Sequence, residues 1–208
     1  MIPTKSSSNT FARAILTSCG ILLLSSMLPA ATITGGMTTV TLDSGTLTTL
    51  ESLFTIGTVP PTMITSSAAG TVVNFPITGG DTATGMIDHS GGLTLTGKAT
   101  PAGVGTEVIT ENYVINLNTL MLTSEVVVNG GTPMMNVPLF NIGAGDALTV
   151  NSTLAGALTS VFGVPNLTGA PVGTAKVSPT TATPEPASFA LLGGGLLAAF
   201  AYRRSKKA

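Results

Sequence analysis

Between Glu107 and Asn129 the chain reads EVITENYVINLNTLMLTSEVVVN, the stretch that most restricts what this protein can fold into. Tyr113, Ile115 and Leu117 fall on one face and Asn112, Asn116 and Asn118 on the other. A period of two is that of a half-buried strand. Asn129-Gly130-Gly131 then turns the chain into NVPLFNI at 136–142, which predicts a hairpin. The same texture recurs in VTL and LTTLESLF near the start of the body, in TVVNFPI at 71–77, in GLTLTG at 92–97 and in VGTAKV at 172–177. Each sets apolar residues against threonine or another polar residue, and threonine suits a pleated, half-buried surface. Turn residues return every ~10 residues, the spacing of antiparallel sandwiches and barrels.

One segment has a different period. In LAGALTSVFG the residues Leu154, Leu158, Val161 and Phe162 stand at helical spacing, with Asn151 or Ser152 as N-cap and Gly163 as stop. The expected class is therefore all-β: an antiparallel sandwich or partly closed barrel with one short helix, flanked by a signal peptide and a C-terminal apolar helix. The chain divides into a signal peptide at 1–31, a β-rich secreted domain at 32–178, a Thr/Pro linker at 179–186 and a C-terminal sorting helix with a basic tail at 187–208.

The two ends carry most of the positive charge. Lys5 and Arg13 precede the apolar run Ala14 to Leu28, and Pro29-Ala30-Ala31 supplies small residues for cleavage. Those are the three parts of a secretory signal. Cys19 lies in LTSCG, the form of a lipoprotein box, but only three apolar residues separate Arg13 from Thr17. Cys19 therefore reads as one more apolar residue of the signal, which leaves the mature chain without cysteine. Disulfides, thiolate metal sites and thiol nucleophiles are then excluded.

From residue 32 to 178 only Lys98 and Lys176 face eight acidic residues, a formal charge of −6. Such a surface repels polyphosphates, so nucleic acid is excluded as a partner. Charged residues are 8% of the chain against 43% hydrophobic, a balance that supports a buried core rather than disorder. Aromatic residues are only 4%, so that core is built mainly from Val, Ile, Leu and Met.

The last residues read TPEPASFALLGGGLLAAFAYRRSKKA. The apolar run from Ala187 to Tyr202 has 16 residues, short of the ~20 that cross a bilayer comfortably. Gly193-Gly194-Gly195 weakens a helix there, each glycine costing ~1 kcal/mol relative to alanine. Arg203, Arg204, Lys206 and Lys207 would stay on the cytoplasmic side and fix topology. Pro184-Glu185-Pro186, a short apolar helix and a terminal basic cluster resemble the PEP-CTERM sorting signal of Gram-negative bacteria. The resemblance implies recognition of Pro184, Glu185 and Pro186 by an exosortase, transient membrane attachment through the transmembrane-type C-terminal helix, and removal of the tail. It further implies a precursor held at the inner membrane and a mature form at the cell surface or in the extracellular biofilm matrix, with exopolysaccharide as a candidate partner.

Within the body, GMIDHSGGLTLTG holds the only histidine, His89. A Ser/His/Asp set with Asp88 or Asp146 lacks the G-x-S-x-G elbow, and neighbours on a strand point to opposite faces. One histidine without cysteine is a poor transition-metal set. Asp81 and Asp88 lack a calcium-loop pattern. The glycine pairs at 103–105 and 143–145 lack the rest of a dinucleotide fingerprint. No catalytic residue, metal site or enzymatic activity is expected.

The order FPITGGDTATGMIDHSGGLTLTG, a long strand pair, VNGG, VPLFNIG, a Leu/Ala-rich helix and GAPVGTAKV resembles HtaA-type domains over about residues 70–177. Those are secreted β-rich modules, some of which bind haem through a tyrosine supported by a histidine. The resemblance puts His89 at the histidine position and makes haem or another small ligand the alternative to a structural or adhesive role. The sequence departs from the pattern in having no tyrosine near the start of the body, and Phe162 precedes GAPVG where a tyrosine is expected. Tyr113 is the one tyrosine left in the body to stand with His89.

Overall fold

The computed structural model describes residues 31–98, 103–182 and 195–196. Residues 1–30 of the signal peptide and nearly all of the segment from 183 onward, including Pro184, Glu185, Pro186 and the basic cluster, lie outside the described residues. No described helix is long and apolar enough to cross a membrane.

Among the described residues, eleven strands and two α-helices make up the body. In chain order they are β1 (Ile33–Leu42), α1 (Ser44–Leu53), β2 (Phe54–Val59), β3 (Met63–Ser67), β4 (Gly70–Asp81), β5 (Met86–His89), β6 (Gly92–Gly97), β7 (Glu107–Asn116), β8 (Met121–Val128), β9 (Met134–Ile142), β10 (Ala147–Val150), α2 (Ser152–Phe162) and β11 (Pro171–Thr181). Hydrogen bonds run around the ring β7-β5-β4-β1-β11-β10-β9-β8 and return to β7. The expected antiparallel β class is thus an eight-stranded closed barrel. Strands β6 and β2 extend from β7, and β3 pairs with β4 outside the ring. Eight strands enclose a space that side chains just fill or that holds one small ligand.

The barrel interior follows the alternation that the sequence carries. On β4, Val73, Phe75 and Ile77 are buried while Asn74 and Pro76 between them are not. Asn74 faces outward and its side chain accepts from Thr39 of β1, across from it in register. The predicted hairpin is present, with β8 pairing β9 around Asn129 and Gly130. There the Asn129 side chain accepts from the Glu107 N–H and ties the turn to the start of β7.

The helix expected at 154–163 is α2. Asn151 caps its N-terminus by accepting from the Thr153 N–H, and Gly163 closes it at φ 68°. This is the left-handed conformation that glycine adopts at low cost. Phe162 stacks edge-on against Phe54 with ring centroids 4.7 Å apart, both nearly without solvent contact. Burying each ring contributes about 2 kcal/mol and fixes α2 against the start of β2.

Two expectations are corrected. The strand expected in LTTLESLF is helix α1 up to Leu53, so the body has two helices rather than one. Asp43 accepts from the Thr46 N–H as N-cap, and Leu47, Leu50 and Leu53 then recur every third residue along one side. Leu117 does not share the face of Tyr113 and Ile115; it lies in the β7–β8 turn and is exposed. Strand β7 ends at Asn116, so Leu117 has left the sheet; within the strand a bulge at Asn112, φ 54°, shifts the inward set from Val108 and Thr110 to Tyr113 and Ile115. One added residue exchanges the two faces of a strand. At the other end, β11 continues to Thr181, so 179–181 of the linker are paired with β1.

Candidate functional site

His89 ends β5 with its ring inside the barrel, while Asp88 beside it is exposed on the opposite face. The ring is buried and bonded at both nitrogens. Nε2 lies 2.7 Å from Thr38 Oγ1 on β1, and Nδ1 lies 3.1 Å from the Tyr113 carbonyl on β7. A carbonyl only accepts, so Nδ1 carries the proton and Nε2 accepts from the Thr38 hydroxyl. Burial pushes the imidazole below its usual range, opposed by the Tyr113 carbonyl and the negative charge of Asp88. His89 is therefore a neutral brace that joins three barrel strands.

Tyr113 is neighbour to this brace through its backbone, while its phenol belongs to a second chain of bonds. Its hydroxyl lies 2.6 Å from Thr110 Oγ1, which in turn donates to the Leu93 carbonyl at 3.3 Å. Because that carbonyl accepts, Tyr113 donates to Thr110. Burial pushes the phenol well above its usual range, against the Thr110 bond. Its ring packs edge-on against Phe75 at 4.9 Å. The structure thus brings His89 and Tyr113 together, with every polar atom of both side chains already bonded.

The glycines that follow His89 serve the strand crossing. Gly91 has φ 79°, and a Cβ on Gly92 would enter the backbone of β7 at Thr110 and Glu111. They let β5 and β6 lie end to end along one edge of β7.

Around this core lie two cavities that share walls. An inner space of about 50 Å³ is bounded by Thr38, Phe75, His89 and Tyr113. A larger space of about 790 Å³ lies beneath α1 and beside α2. Six residues line both: Leu42, Val73, Leu93, Tyr113, Phe140 and Val172. Sequence reasoning missed Thr38, Thr110 and the α1 wall. The two threonines are indistinguishable from many others by strand pattern. The wall was readable from Asp43 as N-cap and the leucines at 47, 50 and 53. No group of three or more His, Cys, Asp or Glu residues among the described residues could hold a metal.

Comparison with known proteins identifies both ends of this description. Residues 182–205 match the model of the PEP-CTERM protein-sorting motif. No match was found among curated protein sequences. The fold is similar to the crystal structure of the heme binding protein HtaB from Corynebacterium glutamicum, with a TM-score of 0.53 and 11% identity. The alignment covers 74% of this chain and 96% of that one. The chain carries an exosortase-type sorting signal behind a β-barrel body of the HtaB fold.

Proposed function

We propose that this is a non-enzymatic protein, exported and processed by an exosortase, that serves a structural or adhesive role at the cell surface or in the extracellular matrix. The observation that carries the reading is the sorting motif at 182–205, attached directly to the strand that closes the barrel against β1. A matrix destination makes exopolysaccharide the natural partner for the body. The bonding of His89 and Tyr113 within the protein supports a scaffold role for them, since neither offers a free base or nucleophile. Replacing Pro184 and Glu185 with alanine in the native host is expected to leave the tail uncut and the protein with the membrane. Mass spectrometry reads this directly: an intact Ala208 on surface-located wild-type protein would overturn the sorting half of the proposal. Deletion of the gene with unchanged biofilm and surface mass would overturn the adhesive half.

A second reading is haem binding, favoured by the similarity to HtaB. His89 and Tyr113 fit the role of iron ligands poorly. Ligation by His89 requires loss of the Thr38 bond, and a buried phenol held well above its usual pKa resists becoming phenolate. The exported protein titrated with hemin is the test. A Soret band that disappears in His89→Ala or Tyr113→Phe supports this reading, and no band removes it.

A further inference from the structure

Helix α1 has no buried residue, although Leu47, Leu50 and Leu53 form an apolar stripe along it. A short amphipathic helix normally derives its stability from packing that stripe on a core. Here Leu50 and Leu53 pack only partly on the core, and all three leucines also line the space of about 790 Å³. The space is a cleft that opens to solvent beside the exposed Asp43. A space of this size is in the range of small-molecule sites, and its walls have the composition of one.

The composition of those walls selects the ligand. Most of the lining is leucine, valine, isoleucine, phenylalanine and proline from both helices and from β6, β9 and β10, with Thr46, Thr49 and Ser52 of α1 and Thr110 and Tyr113 of β7 as its uncharged polar residues. Among the described residues no Lys, Arg or His lines this space, and the one charged residue on it is Asp43, at the N-terminus of α1. Asp43 is fully exposed, and the Thr46 N–H that it accepts from holds its carboxyl below the usual range, so it stays ionised. The body around it carries a formal charge of −6. An anionic head would meet repulsion at the rim and find no cation inside. Leu93 and Phe140 border both this space and the inner cavity.

We propose that the barrel is a binding site for an uncharged long-chain lipid, whose apolar chain lies between α1 and α2 with α1 as the cover. The ligand completes packing that Leu50 and Leu53 make only in part in the protein alone. This goes beyond the surface role proposed above and does not depend on it.

The test uses the protein purified from the culture that exports it, stripped of bound lipid on a hydrophobic resin and loaded with the fluorescent probe phenylnaphthylamine. Hexadecanol is expected to displace the probe roughly tenfold more effectively than hexadecanoate, because only the anion is repelled and left unpaired. Asp43→Asn, which keeps a capping side chain, is expected to narrow that gap from the hexadecanoate side and leave hexadecanol unchanged. Leu50→Trp, which fills the space under α1, is expected to lose the probe while keeping the wild-type far-UV spectrum. Failure of the wild-type protein to bind the probe overturns the proposal. So does equal displacement by both competitors, or probe binding by Leu50→Trp that equals wild type. If Leu50→Trp does not fold, the wild-type and Asp43→Asn titrations decide alone.

Discussion

Lowering the pH should weaken the barrel through His89 before the carboxylates begin to titrate. The imidazole is held neutral between Thr38 and the Tyr113 carbonyl, and burial depresses its pKa below the ordinary 6.5. In the unfolded chain it titrates near the ordinary value, so below that pH the unfolded state binds a proton that the folded state refuses. Stability is then fully present above pH 6.5 and falls as the pH drops toward the depressed folded value. One proton of difference gives a slope of at most about 1.4 kcal/mol per pH unit. Against a total of ~5–15 kcal/mol this is measurable. The structural reason is specific: a protonated ring has two donors, and Thr38 Oγ1 would have to reverse from donor to acceptor. Urea unfolding of the exported protein between pH 7 and pH ~5, where carboxylates contribute little, reads the slope. His89→Gln supplies a neutral amide that does not titrate, and its slope should be close to zero over that window. Equal pH dependence in the two proteins would refute the assignment of His89, as would a wild-type protein that gains stability on acidification.

Other perturbations test the packing and the caps. Phe162→Ala removes a ring stacked on Phe54 and should cost about 3–5 kcal/mol, read as a fall in the urea midpoint of about 2 M. Two glycine substitutions should act in opposite directions. Gly92→Ala drives a methyl into the β7 backbone and should abolish export of folded protein, read as lost yield and lost far-UV strand signal. Gly156→Ala adds its methyl in open space on α2 and should raise stability by about 0.5–1 kcal/mol in the same urea experiment. Asn151→Ala removes the α2 cap together with a bond to Asn141, and a loss of at least about 1 kcal/mol is expected in the unfolding free energy.

Local chemistry made much of this protein legible before any fold was known. The triplet Pro184-Glu185-Pro186, the glycine-broken apolar run and the basic end form a sorting signal read in linear order, so no tertiary contact was needed to see it. GLTLTG became β6 residue for residue, because alternation and flanking glycines act within a few residues. Helix α2 was equally visible from Asn151, Gly163 and the apolar spacing between them.

Tertiary structure decided the rest, wherever the outcome depends on which strands meet. Strand β7 carries a perfect-looking alternation, yet the bulge at Asn112 exchanges its faces midway, and the end of the strand at Asn116 leaves Leu117 in an exposed turn. Segment 44–53 has threonines suited to strand and leucines spaced for helix, and the position of Asp43 at the end of β1 selects the helix. Closure of eight strands into a ring requires β7 to pair with β8 on one edge and with β5 and β6 on the other. The role of His89 rests on residues 51 positions before it and 24 after it, which no local pattern connects. Sequence by itself determined the address, the strand class and the caps, because those are set by neighbours along the chain. Only the closed barrel could decide that the lone histidine is a brace, and that an apolar space remains beneath α1, because both depend on surfaces that meet only after folding.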